Sequence, residues 1–139
     1  MVKRVLLICT HNSARSQMAE GLVNHDLAGK VQAFSAGTEP SSVNPLAIVA
    51  MKELGIDISR QRSKSIEEFA GEKFDFVITL CDHAAESCPI FFGGTIRLHM
   101  GFPDPAAVPG SQEEKLAAFR KVRDQIRAQL GEFLSGQNL

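Results

Sequence analysis

Cys9 and Arg15 are separated by five residues in Cys9-Thr10-His11-Asn12-Ser13-Ala14-Arg15-Ser16, a spacing that lets a loop close around a tetrahedral oxyanion. In such a loop the backbone N–H groups point inward, a helix starting near Arg15 adds the positive end of its dipole, and the guanidinium forks onto two oxygens. A cysteine at the loop's start is then expected to be a thiolate at neutral pH, and so a nucleophile beside the anion. The plainer reading is a buried cysteine ending a core strand, with Arg15 and Ser16 as ordinary helix-start residues. The order of apolar run (Val5-Leu6-Leu7-Ile8), cysteine, polar loop, Arg-Ser and helical pattern favours the oxyanion loop.

A second constellation, Cys81-Asp82-His83-Ala84-Ala85-Glu86-Ser87-Cys88-Pro89, sets two cysteines seven apart. Three readings compete. The thiols can be incidental; Cys81, His83 and Cys88 can be zinc ligands, although the spacing matches no common finger and no fourth ligand is evident; or the two cysteines can form a redox pair that passes a disulfide from a pocket to the surface. Cys81 ends an apolar run just as Cys9 does, which favours the redox pair, so no resident metal is expected. In Phe102-Pro103-Asp104-Pro105, two prolines hold Asp104 in a stiff extended loop, suited to a positioned general acid or base or simply to a turn. His11 is expected at the pocket mouth. His25, His83 and His99 show no metal-ligand spacing and read as surface or packing residues.

The elements that must position these groups alternate. Val2–Ile8 and Phe74–Leu80 read as buried strands, Val31–Ser35 as a further strand and Thr95–Met100 as a fourth, short one. Arg15–Leu27 reads as a helix with Met18, Ala19, Leu22 and Val23 on one stripe. Asn44-Pro45 starts a second helix that Gly55 stops, and Ser111-Gln112-Glu113-Glu114 is a capping box for a last helix with core positions Leu116, Phe119, Val122, Ile126 and Leu130. Strands alternating with helices imply parallel pairing and right-handed crossovers. The expected fold class is therefore α/β, a doubly wound four-stranded parallel sheet flanked by helices on both faces. Ligands of such sheets collect at the carboxyl ends of the strands, where Cys9 and Cys81 both fall.

Bulk properties narrow the function classes. The 139 residues, 44% apolar and 22% charged, fit one soluble domain spanning 1–139, without repeats or linkers. A net charge of −1 exerts no global pull on nucleic acid or anionic membrane, so anion attraction must be local, and neither is expected as a partner. Arg120, Lys121, Arg123 and Arg127 share a helix with Glu113, Glu114 and Asp124 and read as a solvated face. The apolar run after Lys3 and Arg4 is too short for a signal peptide or a membrane span. A cytoplasmic monomer with reduced cysteines is the expectation.

From about Arg4 to Phe133 the chain resembles the low-molecular-weight phosphotyrosine phosphatase superfamily, and more closely its thioredoxin-coupled arsenate reductases. Cys9-x5-Arg15-Ser16, Cys81, Cys88 and Asp104-Pro105 carry the resemblance. It implies a four-stranded parallel sheet with flanking helices. It also implies arsenate as substrate and thioredoxin as external reductant. Cys9 would attack arsenate, and Thr10, His11, Asn12, Ser13, Ala14, Arg15 and Ser16 would hold the oxyanion, with Asn12 and Ser16 tuning the loop and Asp104 assisting proton transfer. Cys81 would attack the Cys9 adduct, releasing arsenite, and Cys88 would attack Cys81. Phosphatases of the superfamily carry tyrosines after Asp-Pro, where this chain has Ala106 and Ala107 and no Tyr or Trp, which weakens the alternative of a tyrosine phosphatase. A non-enzymatic thiol sensor, the other alternative, leaves the Arg15 loop without a purpose. His11 stands where many reductase relatives have glycine and should narrow or polarise the pocket mouth. Some relatives bind potassium at positions matching Asn12, Glu20, Ser35 and an acidic residue. Lys64 falls at the last of these, so its ammonium is expected to pair with Glu20 and replace the cation, unless it simply points to solvent. Finally, a helix over Asp82–Ser87 would hold the Cα atoms of Cys81 and Cys88 about 10.5 Å apart. A disulfide needs roughly 7 Å, so oxidation should unwind that segment and remodel residues 82–94.

Overall fold

Apolar runs and helical stripes alternate along the chain, and strands and helices follow them. In order these are β1 (Lys3–Cys9), α1 (Arg15–Asp26), β2 (Val31–Gly37), α2 (Pro45–Lys52), β3 (Phe76–Thr79), β4 (Ile96–His99) and α3 (Gln112–Ser135), with short 3-10 turns at Ile66–Phe69 and Pro105–Ala107. This computed structural model describes residues 2–81 and 96–137. The expected helix at Asp82–Ser87, with His83 and Cys88, lies outside the described residues.

The four strands form one parallel sheet in the order β2-β1-β3-β4. Val5, Leu6, Leu7 and Ile8 of central β1 are fully buried, as a strand covered on both faces requires. Val5, Ala33 and Phe76 share one register row and hence one face. Phe76 meets Phe133 of α3 edge-on at 5.8 Å, and Ser35, two residues beyond Ala33, bonds Glu20 of α1, so both helices lie on that face. Phe34, on the opposite face, packs edge-to-face at 5.8 Å against both Phe69 of the first 3-10 turn and Phe74. The order runs outward from β1 in both directions, so the connections after β1 and β3 diverge and open a crevice at those strands' carboxyl ends.

Local chemistry explains the boundaries. The Asn44 side chain accepts from Leu46 N at 2.9 Å ahead of Pro45, and Gly55 takes φ 77° after the helix. Ser111 and Glu114 exchange hydrogen bonds at 3.2 Å in both directions, completing the capping box. The third strand is shorter than its apolar run, because Phe74 leaves the ladder for the aromatic cluster. One expectation is corrected. The basic face of α3 is not simply solvated: Arg123 is buried, donating to Ala50 O (2.8 Å) and Glu53 (3.0 Å), while Arg120 pairs with Glu53 and Arg127 with Asp26. These arginines tie α3 to the end of α2 and to α1. No helix among the described residues is long and apolar enough to cross a membrane.

Gly131 sits inside α3 beside a shallow hollow lined by Leu22, Leu27 and Leu130, and a Cβ there would meet nothing within 4 Å. Gly131→Ala is therefore expected to stabilise the protein by about 0.5–1 kcal/mol, read as a rise of a few degrees in Tm.

Candidate active site

β1 delivers Cys9 to the crevice and the chain then turns through Thr10–Ala14 into α1. Asn12 makes this turn possible by adopting φ 49°, a left-handed conformation that asparagine tolerates better than most residues. Every carbonyl of the turn is held from outside. Thr10 O accepts from Glu39 N (2.7 Å), His11 O from Ser41 N (3.1 Å) and Ser63 Oγ (2.9 Å), Asn12 O from Gln17 Nε2 (3.0 Å), Ser13 O from Asn44 N (2.9 Å), and Ala14 O from Met18 N (2.9 Å). With the carbonyls turned outward, the peptide planes aim their N–H groups at the loop's interior, the arrangement that binds anions.

α1 adds to this field. Its cap residue Ala14 offers no side-chain bond to the first turn, and that turn carries no acidic residue. The helix's unsatisfied N–H groups and dipole thus face the loop uncompensated. Arg15, 13% exposed at its side chain, donates from Nη1 to Phe102 O at 3.0 Å, and its Nη2 lies 3.9 Å from Asp104 Oδ2. Its buried Nε has no partner among the described residues. Asp104 caps the second 3-10 turn through Ala106 N at 3.0 Å, so the carboxylate is oriented toward Arg15 by its own backbone. Cys9, His11, Arg15 and Asp104 line one cavity of about 100 Å3, with small residues between them.

A network that sequence inspection missed braces the loop from behind. The fully buried Asn12 donates to Ser16 Oγ (2.7 Å), while its Oδ1 accepts from Gln17 Nε2 (2.9 Å) and Lys64 N (2.9 Å). Gln17 also donates to Arg62 O (2.9 Å) and accepts from Gln61 (2.8 Å). Gly37 belongs to the same brace, since a Cβ on it would lie 2.6 Å from Thr10 O. The resemblance had already grouped Lys64 with Asn12, Glu20 and Ser35, and the Ala36-Gly37 pair closing a strand was a second signal; the glutamines are too far apart in sequence to advertise a shared site.

Lys64 is buried, not solvated. Its ammonium donates to Arg62 O at 2.9 Å and lies 3.5 Å from Ser35 Oγ and 3.6 Å from Glu20 Oε1, which itself accepts from Ser35 at 2.6 Å. Burial pushes this lysine below its ordinary range, and the Glu20 carboxylate pulls it back.

The third strand delivers Cys81, buried like Cys9, and Thr10 Oγ1 lies 3.1 Å from its Sγ. The neighbouring Cys81 thiol, with burial, pushes the Cys9 thiol well above the usual range, against the pull of Arg15 and the Ser16 amide. A thiolate confined to Cys9 is thus not what this arrangement favours. Both thiols resist ionising together, so the pair carries one negative charge before it carries two. Such a pair can attack an electrophile bound in the loop and then close a disulfide on itself.

The sequence profile of the low molecular weight phosphotyrosine protein phosphatase family matches residues 4–139. An arsenate reductase of Halalkalibacterium halodurans is 48% identical over 131 residues, 94% of each chain. The solved structure of an arsenate reductase in its oxidised state superposes with a TM-score of 0.82 at 36% identity, covering 96% of this chain and 98% of that one. A thioredoxin-dependent arsenate reductase of Corynebacterium glutamicum superposes with a TM-score of 0.72 at 27% identity, covering 98% of this chain and 64% of its own.

Proposed function

The chain belongs to the low molecular weight phosphotyrosine protein phosphatase family, and on that premise we propose that it is an arsenate reductase, working in the reducing cytoplasm with thioredoxin as its external reductant. The observation that carries the reading is a second buried thiol, Cys81, beside Cys9 beneath an anion loop. A phosphatase has no use for a second thiol against its nucleophile; a reductase needs one.

Arsenate enters the loop, held by its inward N–H groups, the α1 dipole and the Arg15 guanidinium. The Cys9 sulfur attacks arsenic, and an arsenate oxygen leaves as water, with Asp104 assisting the proton transfer. Arsenic is still pentavalent at this point. Cys81 then attacks the Cys9 sulfur: a Cys9–Cys81 S–S bond forms, the S–As bond breaks, and its electron pair reduces arsenic to the trivalent state, which leaves as arsenite. Cys88 attacks Cys81 in turn, freeing Cys9, and a thioredoxin dithiol reduces the Cys81–Cys88 bond. Thr10 Oγ1, 3.1 Å from Cys81 Sγ, can donate a hydrogen bond that steadies the Cys81 thiolate as it attacks. The test is consumption of reductant with arsenate, thioredoxin and thioredoxin reductase, run beside aryl phosphate hydrolysis. The expected result is arsenate-dependent turnover with hydrolysis only as a slow side reaction; hydrolysis alone would mark a phosphatase.

We also propose that the enzyme needs no potassium. The positions that serve as a potassium site in some relatives do not fit a second cation here, because the Lys64 ammonium already lies against Arg62 O, Ser35 and Glu20. Exchanging potassium for sodium at equal ionic strength is expected to change kcat/KM by less than about twofold. Strong activation by potassium would contradict the assignment.

A further inference from the structure

His11 has the largest side chain in the loop that the chemistry above leaves unused. Its Nδ1 lies 3.0 Å from the Glu39 carbonyl oxygen. A carbonyl only accepts, so Nδ1 carries the proton and the ring is anchored rather than free to swing. The anchor is itself fixed, because Glu39 N donates to Thr10 O and Ser41 N to His11 O. The ring therefore stands as a rigid part of the cavity wall. The wall is otherwise narrow in stature: apart from Cys9, Arg15 and Asp104, the cavity is lined by Ser13, Ala14, Ser41 and Ala106. Among the described lining residues, His11 alone carries a ring.

In an in-line displacement at a tetrahedral centre, the leaving group lies opposite the attacking sulfur. Cys9 is buried and His11 exposed along this cavity of about 100 Å3, so the direction away from the sulfur runs outward past His11. A free inorganic oxyanion places only an oxygen there. A monoester places an oxygen bearing a whole organic substituent. We propose that His11 determines specificity, admitting free inorganic oxyanions and obstructing phosphate monoesters at the mouth of the Cys9 loop. The proposal rests on the reading of that loop as an oxyanion site, and it assigns the discrimination to one anchored ring.

The probes are p-nitrophenyl phosphate as the monoester and inorganic phosphate as the free oxyanion, so the test does not depend on arsenate turnover. In H11A the ratio of p-nitrophenyl phosphate kcat/KM to the inhibitory affinity of phosphate is expected to rise at least about tenfold, with the ester's kcat/KM itself increasing. H11Q keeps a donor for the Glu39 carbonyl and most of the bulk, and is expected to hold the ratio within about threefold of wild type. A change in loop rigidity alone would lower ester hydrolysis and phosphate affinity together and leave the ratio where it was. An unchanged or lower ratio in H11A overturns the proposal, as does a rise in H11Q equal to that in H11A. Phosphate that binds wild type while the H11A ratio stays flat removes the role of His11 alone. Phosphate that fails to bind wild type removes the oxyanion reading and the proposal with it.

Discussion

Cys81→Ser is expected to lower arsenate turnover by roughly a thousandfold or more, while aryl phosphate hydrolysis persists within about an order of magnitude of wild type. Serine keeps the size of the buried residue and can still bond Thr10 Oγ1, so the crevice at the end of β3 retains its packing. It cannot form the second half of a disulfide. Without that bond the electron pair needed by arsenic has no source, and the reaction stops at a pentavalent adduct on Cys9. Hydrolysis needs only the attack by Cys9 and the anion loop, both of which remain. Parallel steady-state assays with the two substrates check this; loss of both activities, or retention of both, would contradict the separate role given to Cys81.

Cys9→Ala should remove both activities, each by roughly ten-thousandfold or more, because reduction and hydrolysis share the same first attack. The residual rate is what oxyanion binding alone supplies. Phosphate binding measured by calorimetry guards against a trivial outcome, since the outward-held carbonyls and Arg15 do not depend on the sulfur for their positions. Substantial turnover of either substrate by Cys9→Ala would place the nucleophile elsewhere.

Those two cysteines were legible in the sequence because each ends an apolar run that becomes a strand, and parallel strands bring their carboxyl ends together. The helix ends were legible for an equally local reason: Asn44-Pro45 and Ser111 to Glu114 encode their caps within four residues. The brace behind the loop was not. Gln17 bonds Asn12 and joins it to Gln61 and Arg62 only through the fold, and nothing in their spacing says that a glutamine will bond two separated loops; Lys64 alone of this group was placed beforehand, by the resemblance. Arg123 misled for a related reason. Its neighbours in sequence are charged, but its guanidinium reaches the end of α2, where Ala50 O and Glu53 await it. The state of Cys9 is likewise a property of a pair; the loop alone argues for a thiolate, and the pairing with Cys81 opposes it.

The central claim is that an electron pair passes from sulfur to arsenic through a bond between Cys9 and Cys81. It is tested most directly by a single turnover of reduced Cys88→Ser with arsenate and no external reductant. That variant should stop after the second step. The account expects about one arsenite per protein chain, the loss of two hydrogen atoms from the protein mass, and a peptide pair linked through Cys9 and Cys81. Arsenite formed without that linkage, or no arsenite at all from a folded protein that still binds phosphate, would contradict it.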